Sequence, residues 1–393
     1  MKIKPFLMGT VFGLILFVFL SSVYTFAIAY ARGDLTMEQK LKAIYSLLEN
    51  KYVGDYEKSR VEDGMYAGLV GAVGDKYTQY LSSKQFKAFQ EESNGEYGGI
   101  GFLFISDSTR GEYPVTVRAF DGTPAQKAGI LPGDWIIKAN GVDVKIGSGV
   151  AVADILKGPE GTDVSLTIYR PSEDKTIDMT ITRENIEVPT VSSKMLDGNI
   201  GYIEISSFDG VTLAQFKKAY GDLNDKKMTS LILDVRNNPG GLLMTATQIA
   251  DILVDTKFTV YTEAKDGSRT YAYAKPDKIE IPLVMLINGN SASSSEVLAG
   301  AVKDTKTGVL VGAKTYGKGV VQTLFPLTDG SALKITTAKY YTPNGICVQG
   351  EGIIPDYPVD MSDELSIRAG RLPIEEDVQL QKAVSVAKEL TMK

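Results

Sequence analysis

Three short runs in the second half of the chain are apolar almost without a break: Ile200-Gly-Tyr-Ile-Glu-Ile205, Ser230-Leu-Ile-Leu-Asp234 and Pro282-Leu-Val-Met-Leu-Ile287. A strand wetted on one side alternates polar and apolar residues. These do not, so both of their faces are buried. Helical patterns separate them, near Leu213–Asp222 and Leu243–Val254. Buried strands alternating with helices specify an α/β core. At 393 residues the chain exceeds what one core usually takes, so two or three domains are expected.

The region before that core reads differently. After a glycine-rich break at Asn94–Gly101 come short strands: Val115–Val117, one through Ile136 and Ile137 closed by the hairpin signal Asn140-Gly141, Asp163–Tyr169, and one near Ile177–Ile181. Short helices are expected at Pro124–Ala128 and Val150–Leu156. Residues 34–92 read helical, with Leu41, Ile44 and Leu48 at i, i+3, i+7. A last amphipathic helix is expected near Glu375–Leu390, with Leu380, Ala383, Val384 and Ala387 on one face. The expected division is therefore 1–33, 34–93, 94–190, 191–360 and 361–393.

From Pro5 to Ala31 no residue is charged, between Lys4 and Arg32. As a helix this stretch reaches about 40 Å, enough to cross a hydrocarbon core of roughly 30 Å. It is longer than the apolar part of a secretory signal, which favours a retained transmembrane anchor, while Ala29-Tyr-Ala31 resembles a cleavage site and leaves a removed signal open. Lys2 and Lys4 favour a cytoplasmic N-terminus, with the bulk of the chain exported. The net charge of −6 argues against a nucleic-acid partner. One cysteine, Cys347, excludes an internal disulfide and a multi-cysteine zinc site. No metal and no cofactor is expected.

The chain has no histidine. A serine nucleophile here must pass its proton elsewhere, and lysine is the best available acceptor. Ser293 lies in Asn288-Gly-Asn-Ser-Ala-Ser293-Ser-Ser-Glu296, between an expected strand and an expected helix. Ser293-x-x-Glu296 is a capping box, and helix entry after a strand is also a perch that exposes a hydroxyl where amides favour an anion. Lys318 lies in Lys314-Thr-Tyr-Gly-Lys318-Gly-Val-Val-Gln322. To act as a base near neutral pH it must lose roughly three units from about 10.4, which costs about 4 kcal/mol. Desolvation beside Gly317 and Gly319 can supply this, and Gln322 can orient the amine. Gly312–Gly319 nearly spells a phosphate-binding loop. It lacks the final hydroxyl and runs into strand-like Val320–Phe325 where such a loop needs helix. Asp234-Val-Arg-Asn-Asn-Pro-Gly240-Gly241 ends a buried strand. Its paired glycines can present an amide to an oxyanion, from Gly240 or Gly241, with the amide of Ser294 as second donor.

Together these residues resemble the C-terminal processing peptidases, relatives of the tail-specific proteases. The likeness runs through Gly74-Asp-Lys-Tyr-Thr-Gln-Tyr-Leu81, Tyr97-Gly-Gly-Ile-Gly-Phe102, Pro124–Asp134, Asp234–Gly241, Ser291–Glu296, Lys314–Gln322 and Tyr340-Tyr-Thr-Pro-Asn-Gly345. Ile346 and Cys347 depart from it, standing where relatives often have Arg and Ser. The resemblance implies an α/β protease core of ClpP/crotonase-like type with an inserted PDZ domain, flanking helical segments and an N-terminal transmembrane helix. It implies Ser293 as nucleophile, Lys318 as base and Gln322 as the residue orienting it. It further implies protein substrates with accessible C-termini, a homodimer built from the N- and C-terminal helices, and gating by the PDZ domain. Residues Tyr97, Gly98, Gly99, Ile100, Gly101 and Phe102 would hold a substrate's terminal carboxylate, with the next strand pairing to an extended peptide. The rival readings are a catalytically silent PDZ scaffold and a crotonase-like acyl-transfer enzyme.

Overall fold

The computed structural model describes residues 35–109, 111–275 and 279–392. The uncharged stretch 5–31 lies outside them. Among the described residues no helix is long and apolar enough to cross a membrane. The chain divides after Met65 into two compact units. The first contains α1 (Met37–Lys51), entered through a capping box in which Thr36 and Gln39 bond each other's backbone amides. Helix α1 forms where the periodicity placed it, yet none of its residues is buried. A second helix, α2 (Lys58–Gly71), follows.

The second unit starts at Tyr66, within α2, and continues with β1 (Gln79–Leu81) and α3 (Ser83–Asn94), so the region read as helical throughout contains a strand. Next comes a β-rich module: β2 (Glu96–Gly99), β3 (Phe102–Ile105), β4 (Val115–Ala119), α4 (Pro124–Lys127), β5 (Trp135–Ala139), β6 (Val142–Asp143), α5 (Val152–Leu156), β7 (Asp163–Arg170), β8 (Lys175–Thr182) and β9 (Glu184–Glu187). Five of its strands run in the order β3-β4-β5-β7-β8, with β3 at an edge, while β2 pairs β9. Asn140 and Gly141 both take positive φ, 49° and 77°, the backbone that the hairpin signal requires. The alternation in β7 is real: Val164, Leu166 and Ile168 point inward, and Ile100, Ile136 and Ile181 join Val164 and Leu166 in the module's core.

The remainder is the α/β core: β10 (Val191–Leu196), β11 (Ile200–Ile205), α6 (Thr212–Asp225), β12 (Ser230–Asp234), α7 (Leu243–Leu253), β13 (Phe258–Ala264), β14 (Arg269–Tyr273), β15 (Leu283–Ile287), α8 (Ser294–Thr305), β16 (Gly308–Gly312), β17 (Val320–Pro326), β18 (Ala332–Tyr341), β19 (Tyr357–Pro358), α9 (Asp363–Ile367) and α10 (Val378–Thr391). Its central sheet has the order β10-β11-β12-β15-β16-β19, parallel except at β10. The three apolar runs are three adjacent central strands. On one face Ile203, Ile205, Leu231, Leu233, Leu283, Met285 and Ile287 pack with residues of α6, α7 and α8. On the other, Ile200, Tyr202, Ile232, Val284 and Leu286 pack under α10. Leu380, Ala383 and Ala387 of α10 are buried there as expected, joined by Val386, while Val384 is only half-buried.

Parallel neighbours end at the same edge of a sheet, so the turns after β12, β15 and β16 converge there. These turns carry Gly240 and Gly241, Ser293, and Lys318. A second sheet, β1-β18-β13-β14 with β17 also on β18, supplies the wall facing them.

Candidate functional site

At that edge Ser293, Ser294, Gly240, Gly241, Lys318 and Gln322 all line one cleft of about 650 Å³, together with Phe89, Glu92, Asp209, Lys334 and Tyr340. The serine turn and the glycine turn are stitched to each other. Ala292 N–H and Ser295 Oγ both donate to the carbonyl of Asn238, at 3.0 and 2.9 Å, and Ser294 Oγ donates to that of Gly241 at 2.9 Å. A Cβ on Gly240 would lie 2.8 Å from Ser293 Cβ, so only glycine allows this approach.

The two glycine amides differ in what they bond. Gly240 N–H is already taken by Asn238 Oδ1 at 2.8 Å. Among the described residues the amides of Gly241 and Ser294 donate to no acceptor, and both residues line the cleft.

Ser293 sits at φ 55° and ψ −116°, a backbone that L-residues rarely adopt. It is the sharp strand-to-helix turn that lifts a hydroxyl out over a helix N-terminus. Such a residue carries about 1–3 kcal/mol of strain. Ser293→Gly is therefore expected to unfold at higher urea than Ser293→Ala, by roughly 1 kcal/mol, even after glycine's entropy cost of about 0.5–1 kcal/mol. Equal stabilities of the two variants would show that the turn is unstrained.

Glu296 does more than cap its helix. It is fully buried and joins the serine turn to the lysine turn. Its Oε2 accepts from the amides of Ser293 and Lys318 at 2.8 and 2.9 Å, and its Oε1 from Gly317 N–H and Thr315 Oγ at 2.7 and 2.6 Å. Burial pushes its carboxyl above the usual range and these donors pull it back. All four partners donate, which is the geometry of a carboxylate. From the other side the buried Tyr340 phenol lies against the carbonyls of Ser293, at 3.1 Å, and Lys318. Neither clamp was evident in the sequence: Glu296 reads there as half of a capping box, and Tyr340 only as the first residue of the resemblance segment Tyr340–Gly345.

The Lys318 ammonium is half-buried and stands 4.7 Å above the ring centroid of Tyr77. Burial holds its pKa below the ordinary lysine value, helped by the positive charges of Lys334 and Lys76 and opposed by Glu296. Gln322 does not reach it: a bulge in the β17–β18 ladder turns the amide toward Thr336, to whose Oγ it donates at 3.3 Å.

In the β-rich module a small groove of about 70 Å³ is lined by Tyr97, Ile100, Gly101, Phe102, Phe104, Ala153, Leu156 and Lys157. It lies between the edge strand β3 and α5, which starts two residues later than the sequence suggested. The amides of Ile100 and Gly101 donate to no acceptor among the described residues. Gly98 and Gly99 do not line the groove. They belong to β2, opposite Asn185 and Glu184, where a Cβ on Gly98 would meet the carbonyl of Gly158 at 2.1 Å.

Comparison with known proteins agrees with this layout. Residues 199–359 match the profile of peptidase family S41, and residues 117–170 that of a PDZ domain. The chain is 35% identical over 336 residues to a protein named "Probable CtpA-like serine protease" from Staphylococcus aureus (strain COL), covering 84% of this chain and 66% of that protein. It is 34% identical over 324 residues to the carboxy-terminal-processing protease of Bartonella bacilliformis, covering 81% of this chain and 74% of the relative. Among solved structures, the photosystem II D1 C-terminal processing protease is similar, at 30% identity and a TM-score of 0.47, covering 81% of this chain and 86% of that one. With its central sheet, its converging turns and its matches on both modules, the chain belongs to peptidase family S41 and carries a PDZ domain.

Proposed function

We propose that this protein is a carboxyl-terminal processing serine endopeptidase working through a Ser293–Lys318 dyad. The observation that carries the reading is the single cleft holding the strained serine, a desolvated lysine and two unoccupied amides. The neutral amine of Lys318 takes the proton of Ser293 Oγ as that oxygen bonds the peptide carbonyl carbon. The carbonyl electrons move to oxygen, and the resulting anion is held by the amides of Gly241 and Ser294. Collapse breaks the C–N bond, and the Lys318 ammonium returns its proton to the leaving amine. Water, deprotonated by Lys318, then hydrolyses the acyl-enzyme. Gln322 is the proposed orienting group; its amide oxygen is free of partners among the described residues, but it must turn from Thr336 to serve.

The PDZ groove supports capture of a substrate's C-terminus: free amides at Ile100 and Gly101 suit a carboxylate, and the open edge of β3 suits an extended chain. The uncharged stretch 5–31 supports attachment to the cell membrane with the peptidase outside, or secretion if it is removed. Exposed apolar side chains on α1 and α2, including Ile44, Leu47 and Leu69, support homodimer formation through the N-terminal helices. The apolar face of α10 is already spent on the chain's own sheet.

The test is cleavage of a peptide with a free apolar C-terminus. Lys318→Ala is expected to lower kcat/KM by about 10²–10⁴, with circular dichroism unchanged. For the intact protein kcat/KM should rise with pH, because the base works only without its proton. The midpoint should fall below the usual lysine value of about 10.4, since burial disfavours the ammonium. Full turnover by Lys318→Ala, or a rate that falls across that rise, would remove the dyad.

A further inference from the structure

Lys334 lines the same cleft as Ser293 and Lys318, is half-buried, and makes no ion pair among the described residues. Its ammonium rests 5.1 Å above the ring centroid of Phe89. Burial lowers its pKa, opposed by Glu92, which lies on the same helix as Phe89 and forms no ion pair with Lys334 among the described residues. The other charged groups of the cleft are Lys318 and Asp209, and Asp209 is engaged by Ser207 Oγ at 2.6 Å. A half-buried cation with no ion-pair partner is only partly hydrated, and an arriving carboxylate is attracted to it.

Its place in the ladder gives a distance. Lys334 stands opposite Leu324 of β17, and among the described residues β17 pairs with β18 alone. The other edge of β17 is thus open to an extended peptide. Val320, two residues after Lys318, is about 13 Å from Leu324 at roughly 3.3 Å per residue. A chain lying along this wall passes Lys334 about three to five residues from a bond held at Ser293.

We propose that Lys334 is a specificity-determining residue whose ammonium takes a carboxylate of the bound chain at that separation from the scissile bond. The inference rests on the peptidase reading. The carboxylate is either an acidic side chain or the chain's own C-terminus.

Two peptide series separate the sources. In one, a single Asp is moved through the five positions on each side of the scissile bond of an end-blocked neutral peptide. In the other, all side chains are neutral and a free C-terminal carboxylate is placed at the same separations. The readout is the ratio of kcat/KM to that of the neutral, blocked reference, taken within each enzyme so that any general loss in a variant cancels. The full-length protein should favour one position about tenfold, in the first series for a side chain or the second for a chain end. Lys334→Met should flatten the ratio and Lys334→Arg should keep it. A flat profile in an enzyme that cleaves the reference, or a preference that survives Lys334→Met, overturns the proposal alone. Failure to cleave any peptide removes the peptidase reading and this one with it.

Discussion

Glu296→Gln is expected to destabilise the protein by about 3 kcal/mol and to lower peptide cleavage at least a hundredfold. The substitution changes shape hardly at all, so its effect isolates hydrogen-bond polarity. Four donors converge on the two carboxylate oxygens. An amide offers one oxygen and one NH₂. Turned one way, the NH₂ faces the amides of Ser293 and Lys318; turned the other, it faces that of Gly317. Thr315 can rotate its hydroxyl, but no backbone N–H can become an acceptor. At least one buried donor is left unpaired, at about 1–3 kcal/mol, and the remaining bonds lose the charge that roughly doubled their strength. The same bonds hold the serine turn against the lysine turn, so the catalytic loss should accompany the thermal one. Urea denaturation and peptide kinetics on Glu296→Gln measure the two effects. A variant as stable and active as the parent would mean that Glu296 is only a helix cap.

Arg236→Ala should cost about 3–5 kcal/mol, because it strands two buried carboxylates. The guanidinium lies between Asp234 and Asp377, all three side chains being essentially inaccessible to water. Its Nη2 reaches Asp234 Oδ2 at 2.6 Å and Asp377 Oδ2 at 2.8 Å, and Tyr202 donates to Asp234 at 2.7 Å. Asp377 also caps α10 through the amide of Leu380. Removing the cation leaves like charges facing each other, whereas removing all three charges together leaves none. The combination Asp234→Asn, Arg236→Met, Asp377→Asn should therefore be more stable than Arg236→Ala alone. Hydrogen exchange should locate the damage in α10 and the end of β12. Unchanged protection there would mean that the cluster is not what pins the helix.

The sequence revealed what depends on local pattern. Near-continuous apolar runs named the central strands because Ile203 and Tyr202, one residue apart, are both buried on opposite faces. The strand–turn–helix around Ser293 was legible for the same reason. What escaped was set by long-range pairing. Strands β1, β13, β14 and β18 build the facing wall from segments far apart in the chain, and no periodicity within any one of them says so. The bulge that turns Gln322 to Thr336 is a property of the ladder, not of either strand. Gly240 and Gly241 are alike as letters, and only the side chain of Asn238 distinguishes them. Helix α1 showed the right spacing and buries nothing, since periodicity reports an apolar face and not what covers it.

The double clamp of Glu296 and Tyr340 has a kinetic meaning. It fixes the backbone of the serine and lysine turns, so in the proposed dyad the Lys318 amine would move from the face of Tyr77 toward Ser293 by rotation about its own side-chain bonds. Such hops between staggered wells take picoseconds to nanoseconds when a side chain is free, against microseconds or more for collective rearrangements. Readiness for chemistry would then be decided by rapidly exchanging conformers of one flexible side chain, within a frame that stays still.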